Sequence, residues 1–137
     1  MSVAPLLEKE LTYHVRGVIY EVAKKYGSGL KEKVYESALA EEFKKRGISF
    51  ERQKRINLHS LDTEKVLGVY VPDFVIEGKV ILEIKSIPAL TAREAAQQRS
   101  YLKVSEFEVS LLVNFGAPRV EIKRAIHTND RKRFVSV

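Results

Sequence analysis

Residues 66–76 and 79–87 are rich in Val and Ile and flank Glu77-Gly78. Runs of that composition around a turn-forming pair predict a β-hairpin. Buried strands should not carry carboxylates without cause. Here one carries Pro72-Asp73 and the next Glu83-Ile84-Lys85. Side chains alternate along a strand, so Glu83 and Lys85 share a face. The turn decides whether Asp73 joins them. An even-length loop, Glu77-Gly78 alone, would put Asp73 on the opposite face. A three-residue loop, either Ile76-Glu77-Gly78 or Glu77-Gly78-Lys79, puts it on the face of Glu83, and the second choice sets the two directly across from each other. We expect the three-residue loop.

Two carboxylates a few ångströms apart repel and are costly to bury unless something cationic sits between them. Hard oxygen ligands select Mg²⁺ or Mn²⁺. Such an ion lowers the pKa of bound water and shields a phosphate. The backbone carbonyl of Ile84 is a candidate extra ligand. Lys85 is near enough to steady a hydroxide or charge developing on phosphorus. The plainer account is an ion-pair cluster of Asp, Glu and Lys at the hairpin end. Asp73 and Glu83 on opposite faces would leave only that account.

Other elements must position this pair. Leu7, Leu11, Val15, Val18 and Val22 recur at helical spacing, which predicts an amphipathic helix over about residues 5–25, broken by Tyr26-Gly27-Ser28-Gly29. Residues 32–46 read as a second helix with Val34, Leu39 and Phe43 inward, ended by Gly47. Residues 50–58 are extended and mostly polar, suiting an edge strand, and 59–64 form a loop. Thr91-Ala92-Arg93-Glu94 is a capping box opening a helix through about Val104. Residues 107–115 read as a buried strand, Gly116-Ala117-Pro118 as a turn and 120–126 as a final strand. The order α-α-β-β-β-α-β-β predicts an α/β protein with a central mixed sheet flanked by helices. Glu32 and Tyr35 share a helix face at i,i+3, as Gln97 and Tyr101 do at i,i+4. Taken alone, each pair is ordinary helix decoration. Both belong to helices that could flank the hairpin.

The chain has 137 residues, 45% hydrophobic and 31% charged, which suits one domain over 1–137 and excludes disorder throughout. No apolar run approaches the roughly 20 residues of a membrane span. Residues 1–10 show no signal-peptide pattern. With 0 Cys there is no disulfide, thiolate nucleophile or Cys-ligated zinc, and a cytoplasmic location fits. His14, His59 and His127 lack metal-site spacing, and His14 is expected at the core or its boundary. Tyr20, Tyr26, Phe43, Phe50 and Phe107 are expected in the core. There is no P-loop, no Rossmann glycine pattern and no nucleophile elbow. The formal net charge is +6. Lys44, Lys45, Arg46, Arg52, Lys54 and Arg55 stand against Glu51 alone. Arg119, Lys123, Arg124, Arg131, Lys132 and Arg133 stand against Glu121 and Asp130. Two basic regions beside an acidic centre suit contact with phosphate backbone, although each alone reads as a solvated face.

These residues together resemble a known group. Pro72-Asp73 followed by Glu83-x-Lys85 resembles the signature of the PD-(D/E)xK nuclease superfamily. Gly29-x-x-Glu32-x-x-Tyr35 resembles the motif that names its GxxExxY branch. Gln97-Gln98-Arg99-Ser100-Tyr101 is similar to the branch's Q-x-x-x-Y helix, and Leu111-Leu112-Val113-Asn114-Phe115-Gly116 to its L-L-x-N-F-G strand end. The four motifs cover about residues 7–127 in the right order. One departure is Val22-Ala23, where many members carry Val-His; it touches neither the carboxylates nor the lysine.

The resemblance implies a restriction-endonuclease-like fold and a Mg²⁺- or Mn²⁺-dependent nuclease acting on nucleic acid, foremost DNA. It implies Asp73 and Glu83 as metal ligands and Lys85 as the catalytic lysine. By similarity to RecB-type nucleases, Glu32 completes the metal site directly or through water. Gln97 and Tyr101 would stand beside the site, touching DNA or orienting Lys85. Arg52, Lys54, Arg55, Lys123 and Arg124 would grip the nucleic-acid backbone. Tyr35 is grouped with these contacts, with a core position as its alternative. A homodimer would let two small subunits span a duplex. The competing function is a catalytically silent nucleic-acid-binding or protein-interaction module on the same fold.

Overall fold

The computed structural model describes residues 8–128. Leu7 of the first apolar stripe, and Asp130, Arg131, Lys132 and Arg133 of the second basic region, lie outside the described residues. Helix α1 (Lys9–Tyr26) buries Val15, Val18, Ile19 and Val22. Helix α2 (Glu32–Lys45) buries Tyr35, Leu39 and Phe43. Between them Gly27 (φ 70°) and Gly29 (φ 91°) take left-handed backbone that a side chain would oppose. The expected capping box is present at the start of α3 (Ala92–Val104), where the Thr91 hydroxyl accepts from the Arg93 amide and Glu94 accepts from the Thr91 amide.

The strands are β1 (Phe50–Arg52), β2 (Ile56–His59), β3 (Val66–Tyr70), β4 (Phe74–Ile76), β5 (Val80–Lys85), β6 (Val109–Asn114) and β7 (Glu121–Ile126). Five of them form a mixed sheet in the order β1-β4-β5-β6-β7, with β5 and β6 parallel and the other neighbours antiparallel. Strands β2 and β3 form a separate antiparallel ribbon. The central mixed sheet flanked by helices is as expected, but the strand count before α3 is not. The single edge strand expected over 50–58 is two strands in different sheets, because Gln53 (φ 55°) turns the chain between them. The run 66–76 also divides, at Val71-Pro72-Asp73, where proline has no N–H for a ladder.

Each face of the sheet has its own cover. Phe74, Ile76, Val80, Leu82, Ile84, Val109, Leu111 and Val113 pack with the apolar faces of α1 and α2. Val75 and Ile81 pack with Ile56, Tyr70, Leu102 and Phe107 from the ribbon, α3 and the chain after it. Strands β5 and β6 are central and covered on both sides, which explains their near-continuous apolar composition. Phe43 and Phe107 are buried as expected. Tyr20, Tyr26 and Val34 are exposed instead, on the solvent sides of their helices. His14 is exposed too and lies 3.9 Å from Glu10, one helical turn back.

The end of β5 is held from β6. Asn114 Oδ1 accepts from the Ile87 and Gly116 amides, each at 3.0 Å. Its Nδ2 donates to Ile87 O at 3.0 Å and to Glu121 Oε1 at 2.8 Å. Gly116 is required here, because a Cβ would lie 2.2 Å from Ile87 O and 2.3 Å from Ile87 N. Gly116→Ala should destabilise the protein by about 3 kcal/mol, as overpacking against immovable backbone does. Urea melts of the variant and the wild type measure this, and equal midpoints would refute the clamp.

Candidate active site

The turn geometry sets the face of each acid. Strands β4 and β5 pair Ile76 with Val80, Val75 with Ile81 and Phe74 with Leu82. Glu77, Gly78 and Lys79 are therefore the loop, as expected. Glu77 (φ 53°) and Gly78 (φ 67°) are both left-handed, and the Lys79 amide donates to Ile76 O at 2.9 Å. Glu77 is anchored from outside the turn: its carboxylate accepts from the Ser49 amide at 2.7 Å, and its own amide donates to Ser49 O at 3.0 Å. One step further along this register, Asp73 stands across from Glu83, on the face that carries Lys85.

At that step side chains replace the backbone ladder. The Asp73 amide donates to Glu83 Oε1 at 2.9 Å, and the Ile84 amide donates to Asp73 Oδ2 at 2.8 Å. Each carboxylate thus accepts from the opposite strand. Burial, followed by the charge of Asp73, pushes the Glu83 carboxyl up to about 7. Burial also raises Asp73, against the pull of the Ile84 amide. Buried negative charge is under-compensated here, and a bound cation would correct that. Two oxygen-donating carboxylates side by side suit a hard divalent ion. Among the described residues, no group of three Asp, Glu, His or Cys side chains is arranged around one point. The pair therefore offers two carboxylates and leaves further ligands to backbone, water or substrate.

Sequence reasoning missed two groups of polar partners at this site. Glu36 of α2 is buried, and its charge reaches Asp73 and adds to the upward push. Arg52 of β1 binds it through Nε at 2.9 Å and an NH2 group at 2.8 Å. Gln53 lies between the two acids: its backbone amide donates to Asp73 O at 3.2 Å, and its side chain approaches Glu36 at 3.4 Å. Glu36 lies one turn beyond Glu32, at i,i+4, so helical periodicity could have flagged it. The second is Tyr70 of β3, which lines one small cavity with Glu83. Burial and the charge of Glu83 raise its hydroxyl's pKa, so it stays protonated. A lone aromatic among aliphatic residues, three before Asp73, was its only signal.

The expected site residues separate into groups. Lys85 is half-buried and lines a small cavity with Tyr70, Glu83, Gln97 and Tyr101. Gln97 is exposed on α3, whereas its neighbour Gln98 is buried and donates to Ser110 O and Lys123 O, each at 3.1 Å. Glu32 is not gathered with Asp73 and Glu83. It is exposed at the start of α2, on an open pocket with Gly29, Leu30 and Ser86. Tyr35 is corrected from a nucleic-acid contact to a core residue. It is fully buried, stacks on Phe115 at 4.2 Å and donates its hydroxyl to Gly27 O at 2.6 Å. Arg52 and Lys54 are exposed but engaged, Arg52 with Glu36 and Lys54 with Glu51 at 3.0 Å. Arg55 and Lys123 are exposed, and Arg124 is half-buried near Arg16. The two basic groups lie toward opposite edges of the sheet, since β1 and β7 are its outer strands.

With this geometry, the comparisons assign the class. The family model of the PD-(D/E)XK nuclease superfamily matches residues 9–125, and the chain belongs to that superfamily. No curated protein and no solved structure matches the chain. The matched residues include Pro72-Asp73 and Glu83-Ile84-Lys85.

The raised Glu83 carboxyl has a thermodynamic consequence. Between 4.5 and about 7 the folded protein holds a proton that the unfolded chain releases. Stability of the metal-free protein should therefore fall as pH rises through that window. Urea midpoints in chelator should be lower at pH 8 than at pH 5. Glu83→Gln should flatten the difference, and a wild type indifferent to pH over this range would contradict the assignment.

Proposed function

We propose that the chain is a divalent-metal-dependent nuclease that hydrolyses phosphodiester bonds, foremost in DNA, and that it belongs to the GxxExxY branch. The observation that carries this reading is the pair of hydrogen bonds, Asp73 amide to Glu83 and Ile84 amide to Asp73, that sets the two carboxylates side by side near Lys85. Asp73 and Glu83 would hold Mg²⁺ or Mn²⁺, together with the Ile84 carbonyl. In a strand the N–H and C=O of one residue point to the same side. The Ile84 amide faces Asp73, so its carbonyl faces that side as well, opposite a proline with no donor to offer. An ion held there would supply an acidified water and charge shielding at phosphorus.

The remaining roles belong to the chain's own side chains. Lys85 presents an ammonium on the face of Glu83, where it stabilises charge developing on the phosphoryl oxygens. Glu32, on the rim, contributes through water. Gln97, exposed on α3 beside this face, contacts the nucleic acid. Arg52, Lys54, Arg55, Lys123 and Arg124 attract the phosphate backbone from two edges, a contact that weakens with salt. We read residues 1–137 as one nuclease domain working in the cytoplasm, with a homodimer as the form that spans a duplex. Among the described residues, no helix is long and apolar enough to cross a membrane.

Asp73→Ala, Glu83→Ala and Lys85→Ala should each lower cleavage at least about 100-fold, while circular dichroism shows an unchanged fold. Chelator should stop the wild type, and added Mn²⁺ should restore it. Cleavage that persists in both carboxylate variants would exclude this site. A wild type that binds DNA without cutting it in either metal would establish the silent binding module instead.

A further inference from the structure

Tyr70, Glu83 and Tyr101 come from the ribbon, the central sheet and α3, and they line one small cavity together with Lys85. The rings of Tyr70 and Tyr101 are stacked, with centroids 4.1 Å apart and planes 11° from parallel. A glutamate carboxylate turns easily about its last torsion, which has broad wells rather than sharp staggered ones. One Glu83 oxygen is already fixed by the Asp73 amide at 2.9 Å. A second donor from another element would set the plane of the carboxylate. Tyr70 is suited to that task, since a phenol keeps its proton at neutral pH and its ring is held by packing.

We propose that Tyr70 is a positioning residue whose hydroxyl holds the Glu83 carboxylate in its metal-binding orientation, and that Tyr101 acts through Tyr70 by stacking on its ring. This rests on the nuclease reading above. It gives the β2–β3 ribbon, which shares no ladder with the main sheet, a direct part in the site. It also gives the tyrosine of the Q-x-x-x-Y helix a task other than touching substrate. A merely structural role is the competing account, because Tyr70 packs in the same cluster as Ile56, Val75, Ile81, Leu102 and Phe107.

Tyr70→Phe separates the two, since it keeps the ring and the stack and removes only the O–H. Mn²⁺ binding would be measured by calorimetry on the wild type, Tyr70→Phe, Tyr101→Leu and the double variant, with thermal melts alongside. Tyr70→Phe should weaken Mn²⁺ binding about 10- to 100-fold, as loss of a hydrogen-bond partner to a metal ligand does, with little change in melting temperature. Tyr101→Leu should weaken binding when introduced into the wild type and add less than about twofold when introduced into the Tyr70→Phe variant, because coupled residues are non-additive. Tyr70→Phe that binds Mn²⁺ as tightly as the wild type overturns the inference and leaves the nuclease reading standing. Equal losses from Tyr101→Leu in both backgrounds overturn the part given to Tyr101. A folded wild type that binds no Mn²⁺ overturns the reading on which both rest.

Discussion

Where β4 meets β5 the backbone ladder stops, and two carboxylates complete it. The amide of Ile84 donates to Asp73 and the amide of Asp73 to Glu83, while Pro72 has no N–H to offer the Ile84 carbonyl. Each acid thereby answers a backbone donor that would otherwise be buried without a partner, a loss that costs about 1–3 kcal/mol. The same bonds bring two negative groups together in a partly buried place. Structural satisfaction and electrostatic tension come from one pair of contacts. The rest of the molecule either builds this junction or surrounds it.

The surroundings are graded in charge. On the α2 side Glu36 is neutralised by Arg52, with Gln53 bridging toward Asp73. On the α3 side Glu83 has Tyr70 and Lys85 for company. The Arg52–Glu36 pair is no strong argument for stability, since desolvation offsets much of the attraction of a buried ion pair. Its clear effect is geometric: it ties the edge strand β1 to α2 and so keeps Gln53 beside Asp73. Among the described acids around the site, Asp73 and Glu83 keep an excess of buried negative charge. That imbalance, rather than the acid count, distinguishes a metal-binding candidate from an ion-pair cluster.

A second set of contacts fixes the chain as it leaves β5. Asn114 clasps the backbone of Ile87, and the Phe115 amide donates to Lys85 O at 2.9 Å. The Gly29 amide donates to Phe115 O at 3.3 Å, and the Ser86 hydroxyl donates to Leu30 O. Tyr35 stacks on Phe115 and bonds the Gly27–Leu30 loop through its hydroxyl. Two of the four sequence motifs, GxxExxY and L-L-x-N-F-G, are therefore joined to each other and to the end of the lysine-bearing strand. Much of their shared content is mechanical. Tyr35, Asn114 and Gly116 hold backbone in place, whereas Glu32 is exposed on the open pocket it shares with Gly29.

Local patterns determined a good deal by themselves. Helical spacing located α1 and α2, the Thr91 capping box located the start of α3, and the loop parity of Glu77-Gly78-Lys79 put Asp73 opposite Glu83, because strand alternation leaves only two choices of face. The sequence could not show where an apparently continuous strand breaks. The left-handed Gln53 and the Val71-Pro72-Asp73 break send β2 and β3 into a ribbon of their own, a decision made by pairing partners distant in the chain. Nor could it show which polar residues converge. Glu36, Gln53 and Tyr70 lie on three separate parts of the chain, and Tyr35 looks like a site residue until packing buries it. Spacing reports which residues share a face of one element. Which faces meet, and which charges are left without a counterpart when they do, is a property of the packed whole, because burial and Coulomb interaction depend on distances that only the tertiary structure sets.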